Sequence, residues 1–127
     1  MAIRIKSVER PQPGVKGGGK RKHYAAPVHD REITIDGLTK AIEKTSTVNG
    51  ADIRAVIYAM VEEAVLGLSE GRIVRLGDLG SLRITISSEG KDKAEDVTAA
   101  SVKKSGVIFT PGSKLREMLD NAKYTKA

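Results

Sequence analysis

The chain has 127 residues, enough for one domain or one domain with an extension, and only 3% of them are aromatic, so any core is aliphatic and thin. It contains no Cys, which excludes a disulfide framework, a thiolate nucleophile and a Cys-built zinc site. The net charge of +6 suits a polyanionic partner, and it is unevenly placed: residues 1–22 hold seven cations and one anion, residues 23–102 nine and thirteen, residues 103–127 six and two.

Ile3 and Ile5 alternate with Arg4 and Lys6, the pattern of a short half-buried strand over residues 3–9. Charges at every second position also deny this N-terminus the unbroken apolar run of a signal peptide, and no later window suits a membrane helix. The expectation is a soluble cytoplasmic protein without a membrane partner. Pro11, Pro13, Gly14 and Gly17 to Gly19 then forbid regular structure, so residues 10–22 read as a mobile basic linker bearing Arg10, Lys16, Lys20, Arg21 and Lys22. A second short strand is expected over residues 23–28, with Pro27 confining it to an edge.

From Thr34 the period becomes helical. Thr34 or Asp36 can cap a first helix with Leu38, Ala41 and Ile42 on one face. Asn49 is placed to cap a second helix, with Asp52 three residues on, and that helix should end near Gly71. Its apolar stripe of Ile53, Val56, Ile57, Met60, Val61, Ala64, Val65 and Leu68 is widened by Ala55, Ala59 and Leu66 beyond what one small sheet covers, which points to a partner subunit.

Strand signals follow at residues 73–76 and 79–86, joined at Gly77-Asp78, with Leu82, Ile84 and Ile86 on one face of the second and Arg83 and Thr85 on the other. Residues 87–106 form a polar excursion. Val107-Ile108-Phe109 resumes a strand, Pro111-Gly112 ends it, and Ser113 can cap a last helix carrying Leu115, Met118, Leu119 and Ala122. The fold class expected is α+β.

No catalytic constellation emerges. His23 and His29 have no partners at metal-ligand spacing, and no Ser stands in a nucleophile-elbow context. Gly17-Gly18-Gly19-Lys20 has a glycine-rich backbone before Lys, but Arg21-Lys22 follow where a phosphate loop requires Ser or Thr. A non-enzyme is expected, with no cofactor, no metal and no small-molecule substrate.

Val74-Arg75-Leu76-Gly77-Asp78-Leu79-Gly80-Ser81-Leu82 and, further on, Phe109-Thr110-Pro111-Gly112-Ser113-Lys114-Leu115 resemble the bacterial histone-like DNA-binding family of HU and integration host factor. With the two helices before them, the resemblance runs from Leu38 to Ala122, taking in Leu68-Ser69-Glu70-Gly71. Tyr24-Ala25-Ala26-Pro27-Val28 is similar to a segment of a Bacteroides-type branch that prefixes the domain with extra strands. The resemblance implies an intertwined homodimer of two N-terminal helices, a three-stranded antiparallel sheet with a β arm, and a C-terminal helix. Its arms would grip and bend double-stranded DNA in the minor groove. It divides the chain into an extension over residues 1–33 and an HU-like domain over residues 34–124.

Two features depart from the family pattern. Family arms are rich in Arg and Lys and carry an Arg-Asn-Pro wedge near the tip. Here residues 87–104 hold no Pro and no Arg, and Lys91, Lys93, Lys103 and Lys104 are balanced by Glu89, Asp92, Glu95 and Asp96. The first helix also starts well inside the chain rather than at its beginning. The expected function is a nucleoid-associated protein that binds duplex DNA with little sequence preference. Its phosphate contacts would be Arg10, Lys16, Lys20, Arg21, Lys22, Arg83, Lys91, Lys93, Lys103, Lys104, Lys114, Arg116 and Lys123. The expected dimer interface is Ile53, Val56, Ile57, Met60, Val61, Ala64, Val65 and Phe109. The alternative is an HU-like dimeric interaction module that no longer bends DNA and presents strand edges to a protein partner.

Overall fold

The computed structural model describes all 127 residues. Three helices and two small sheets follow one another as β1 (Ile3–Arg10), β2 (Lys22–Pro27), α1 (Ile35–Thr45), α2 (Gly50–Ser69), β3 (Val74–Arg75), β4 (Gly80–Ser88), β5 (Val102–Pro111), α3 (Ser113–Asp120) and β6 (Tyr124–Lys126). The α+β class is as the sequence pattern implies.

Both long helices start where their caps require. Thr34 Oγ1 accepts from the Gly37 N–H at 3.3 Å, and Asn49 Oδ1 accepts from the Asp52 N–H at 2.9 Å while its Nδ2 donates to the Asp52 carboxylate at 3.0 Å. Each cap satisfies an N–H that the first helical turn leaves without a partner. The opening turn of α2 lies against the middle of α1, where Gly50 approaches Thr39 and Glu43. Arg54 pairs with Asp36 at 3.0 Å across the same joint. Thr39, fully buried there, turns its hydroxyl back onto the Ile35 carbonyl at 2.7 Å.

β3, β4 and β5 form one antiparallel sheet. Val74 stands opposite Leu82 and Leu82 opposite Phe109, so Leu82, Ile84 and Ile86 share an apolar face with Val107 and Phe109. The opposite face carries Arg75, Ser81, Arg83 and Thr110. β4 and β5 pair outward past Ile86 and Val107 as far as Ser88 and Val102, because ladder hydrogen bonds need only backbone. The excursion beyond them is shorter than its polar composition suggests. It is folded as two 3-10 turns, Ala94–Asp96 and Ala99–Ser101, the second closed by a Thr98–Ser101 capping box.

The other sheet has the order β2-β1-β6. β1 and β2 are antiparallel with Arg10 opposite Lys22, and residues 11–21 between them are not the loose linker their composition suggests. A 3-10 turn at Lys16–Gly18 lets the Gln12 N–H reach the Gly18 carbonyl at 2.7 Å, with Gly17 at φ 76° and Gly19 at φ 55° supplying the reversal. β6, which nothing in the sequence pattern marks, runs parallel to β1 with Ile3 beside Tyr124.

Packing within the single chain is sparse. Only Ile53, at 6% exposure, is a buried large apolar residue. Ile53 lies in the first turns of α2, which fold back on α1, and is buried within the single chain. Val56, Met60, Val61, Val65 and Leu66 on α2 stay exposed, as do Ile84, Ile86, Val107 and Phe109 on the apolar sheet face. The accessible surface is 10662 Å2, where a compact 13.6 kDa monomer would expose about 6,600 Å2.

Candidate nucleic-acid interface

The polar face of the β3-β4-β5 sheet runs into the start of α3, and a groove of about 280 Å3 lies between them. No large apolar side chain lines it, and three of its ten lining residues are Arg75, Arg83 and Arg116. Arg75 stands opposite Ser81, so it and Arg83 are diagonal neighbours on one face of the sheet. Arg116 comes from the first turns of α3.

Two close backbone approaches hold the groove in shape. A Cβ on Gly80 would strike the Thr110 carbonyl and the Phe109 ring, and one on Gly112 would strike the Asp78 carbonyl. The Gly112 N–H donates to the Leu79 carbonyl at 2.9 Å and the Lys114 N–H to the Asp78 carbonyl at 3.2 Å. The sequence pattern offers Ser113 as the cap of α3. Gly112 holds the cap position instead, and the Ser113 hydroxyl donates to Asp78 Oδ1 at 3.0 Å. The main-chain carbonyl of Asp78 supplies the capping acceptor, so the Ser113 side chain is released to tie α3 to the β3–β4 turn.

Charge in the groove is one-sided. The five ion pairs of the chain are Arg21–Glu9, Arg31–Asp30, Arg54–Asp36, Arg72–Glu70 and Lys91–Glu89, so Arg75, Arg83 and Arg116 carry unneutralised guanidinium groups. Each presents planar forked donors that match phosphate or carboxylate oxygens. Asp78, engaged by Ser113, is the acid at the rim.

A family model described as an HU domain fused to wHTH, Ig, or Glycine-rich motif matches residues 1–126. The chain belongs to the HU-HIG family. Among solved structures, this HU-HIG chain is similar to a candidate bacterial DNA-binding protein from Bacteroides vulgatus, with a TM-score of 0.68 and 19% identity. The similarity covers 99% of this chain and 49% of that one, so the HU-HIG chain spans about half its neighbour's length. A comparison with curated proteins found no match.

The expected contact residues of this HU-HIG chain fall into four places. Arg10, Lys16, Lys20, Arg21 and Lys22 gather at the turn end of the β2-β1-β6 sheet, where Arg21 is committed to Glu9 at 3.1 Å. Arg83 and Arg116 meet in the groove, and Lys114 stands two residues before Arg116 on α3. Lys103 and Lys104 lie on the outer part of β5, while Lys91 and Lys93 lie in the loop beyond, with Lys91 paired to Glu89 at 3.3 Å. Lys123 joins α3 to β6, and its carbonyl accepts from the Ile3 N–H at 2.7 Å.

Arg75 is the groove residue that sequence reasoning left out. Its place between Val74 and Leu76 is the local signal by which it could be found. No group of His, Asp or Glu in the chain is arranged to hold a metal ion, and no helix is long and apolar enough to cross a membrane.

Proposed function

We propose that this chain is a nucleoid-associated, histone-like protein that pairs as an HU-type homodimer and binds duplex DNA with low sequence specificity, compacting or bending it. The observation that carries the reading is the groove in which Arg75, Arg83 and Arg116 converge without an ion-pair partner. Guanidinium groups so placed engage phosphate oxygens by paired charge-assisted hydrogen bonds and displace condensed counterions, a contact blind to base identity. Lys114, Lys103, Lys104 and Lys123 extend the cationic set from the same half of the chain.

The homodimer is supported by the uncovered apolar surface. The excess over a compact monomer is roughly 4,000 Å2, and an obligate dimer covers about 1,000–2,500 Å2 on each subunit. Val56, Met60, Val61 and Val65 on α2 and Phe109 on β5 are the exposed residues that would fill that interface, with Ile57 and Ala64 between them. A cytoplasmic, nucleoid location follows from the same reading.

Binding to labelled duplex across a salt series tests it. Affinity should fall steeply as salt rises, and the R75A/R83A/R116A variant should bind more weakly with a flatter slope. Absence of binding to linear, nicked and cruciform DNA at low salt would favour the interaction module. The charge-balanced loop with its Lys91–Glu89 pair is the observation on that side.

A further inference from the structure

The β2-β1-β6 sheet has two unlike faces. Strand alternation together with the register puts Ile3, Ile5, Ser7 and Glu9 on one face with Pro27, Ala25, His23 and Tyr124. An apolar groove of about 540 Å3 opens on that side, lined by Ile3, Ile5, Ala25, Pro27 and Tyr124 together with Ala26. The other face takes Arg4, Lys6, Val8 and Arg10 from β1, Lys22, Tyr24 and Ala26 from β2, and Thr125 from β6. It contains no acid.

The sole anion of residues 1–22, Glu9, lies on the opposite face and is neutralised there by Arg21. Arg4, Lys6, Arg10 and Lys22 are exposed, and none takes part in any of the five ion pairs. Four of the six cations that stay free in this segment thus stand together on one surface. From Arg4 to Arg10 the row extends about 20 Å along β1, a length over which one strand of B-DNA carries roughly six phosphates.

We propose that this face is a second DNA-binding surface, separate from the three-arginine groove, in which Arg4, Lys6, Arg10 and Lys22 neutralise backbone phosphates of duplex DNA. It rests on the reading of the chain as a DNA-binding protein. It adds Arg4 and Lys6 to the contacts expected from the basic tract and removes Arg21, whose charge Glu9 already meets. Backbone contacts suit the surface, because its cations form a row along one sheet face and charge neutralisation of phosphate is indifferent to the base beside it.

The test is a salt titration of duplex binding by the full chain between about 50 and 200 mM salt, beside R4Q/K6Q/R10Q/K22Q and the groove variant R75A/R83A/R116A. Each phosphate contact contributes about 0.9 to the slope of log affinity against log salt, so loss of all four should flatten it by about 3.6 per bound chain. The variant R4K/R10K, which keeps the charges, should restore the parental slope. If the quadruple variant loses its far-UV circular dichroism signature, R4Q/K6Q and R10Q/K22Q replace it, and each should flatten the slope by about half as much. A parental slope in the sheet variants, with the groove variant impaired, overturns this second surface and leaves the proposed function standing. No duplex binding by the parent chain overturns both.

Discussion

The hydroxyl of Ser113 donates to the carboxylate of Asp78 at 3.0 Å, joining the first turn of α3 to a strand turn 35 residues earlier. That bond fixes how the helix carrying Arg116 meets the strands carrying Arg75 and Arg83, and it leaves an acid at the rim of the cationic groove. S113A and D78A should each destabilise the fold by about 1 kcal/mol, and the double variant by less than their sum. Denaturation midpoints of the four proteins measure it; strict additivity would mean that the bond contributes nothing.

Asp78→Asn separates the structural role from the electrostatic one. The amide oxygen still accepts from Ser113, but the negative charge is gone. DNA affinity should rise by about 0.5 kcal/mol, roughly twofold, at low salt, because a like-signed phosphate no longer meets an anion at the groove's edge. An unchanged or weaker affinity in a titration would refute that placement of the charge.

Gly80→Ala and Gly112→Ala should be far more damaging than side-chain deletions. At both positions the added Cβ meets main-chain carbonyl oxygen, of Thr110 and Asp78 respectively, and Gly80 also sits at φ 153°. Neither obstacle can rotate aside, so each substitution should cost about 3 kcal/mol or more. Thermal unfolding by circular dichroism reads the loss, and a midpoint within a degree or two of the parent would contradict the close approach.

Asn49→Ala removes both the acceptor for the Asp52 N–H and the donor to its carboxylate. The expected loss is about 1 kcal/mol, with Asn49→Asp close to neutral at the cap itself. Urea midpoints of the pair read the cap: an aspartate variant as destabilised as the alanine one would mean that the acceptor for the Asp52 N–H contributes nothing.

Val65→Asp puts a charge in the exposed apolar stripe of α2, where the residue is 61% accessible in the single chain. A monomer would tolerate it within about 0.5 kcal/mol. A homodimer closed by this stripe should dissociate, and sedimentation should show the parent at twice the 13.6 kDa chain mass and the variant at one. A parent sedimenting as one chain removes the dimer.

What the sequence disclosed and what it withheld differ by range of interaction. The caps at Thr34 and Asn49 are legible because donor and acceptor lie three residues apart. The alternation of Leu82, Ile84 and Ile86 is legible because a strand's faces repeat every second residue. Arg75 was missed because its neighbourhood with Arg83 depends on the register of β3 against β4, which no local pattern encodes. β6 was missed because three residues, Tyr124 to Lys126, are too few to show a period, and their strand state comes from pairing with β1 at the other end of the chain. The basic turn looks loose in sequence because Pro and Gly break regular structure, whereas Gly17 and Gly19 at positive φ are what fold it back.

The pairing of β1 with β6 also sets a timetable. On the ribosome, β1 and β2 emerge early and can close as a hairpin, but the other edge of β1 has no neighbour until Tyr124 to Lys126 leave the exit tunnel. At about 5–20 residues per second that interval lasts roughly 6 to 25 s. Throughout it the nascent chain carries a bare strand edge flanked by Arg4 and Lys6, whose repulsion toward a like edge discourages two growing chains from zipping together.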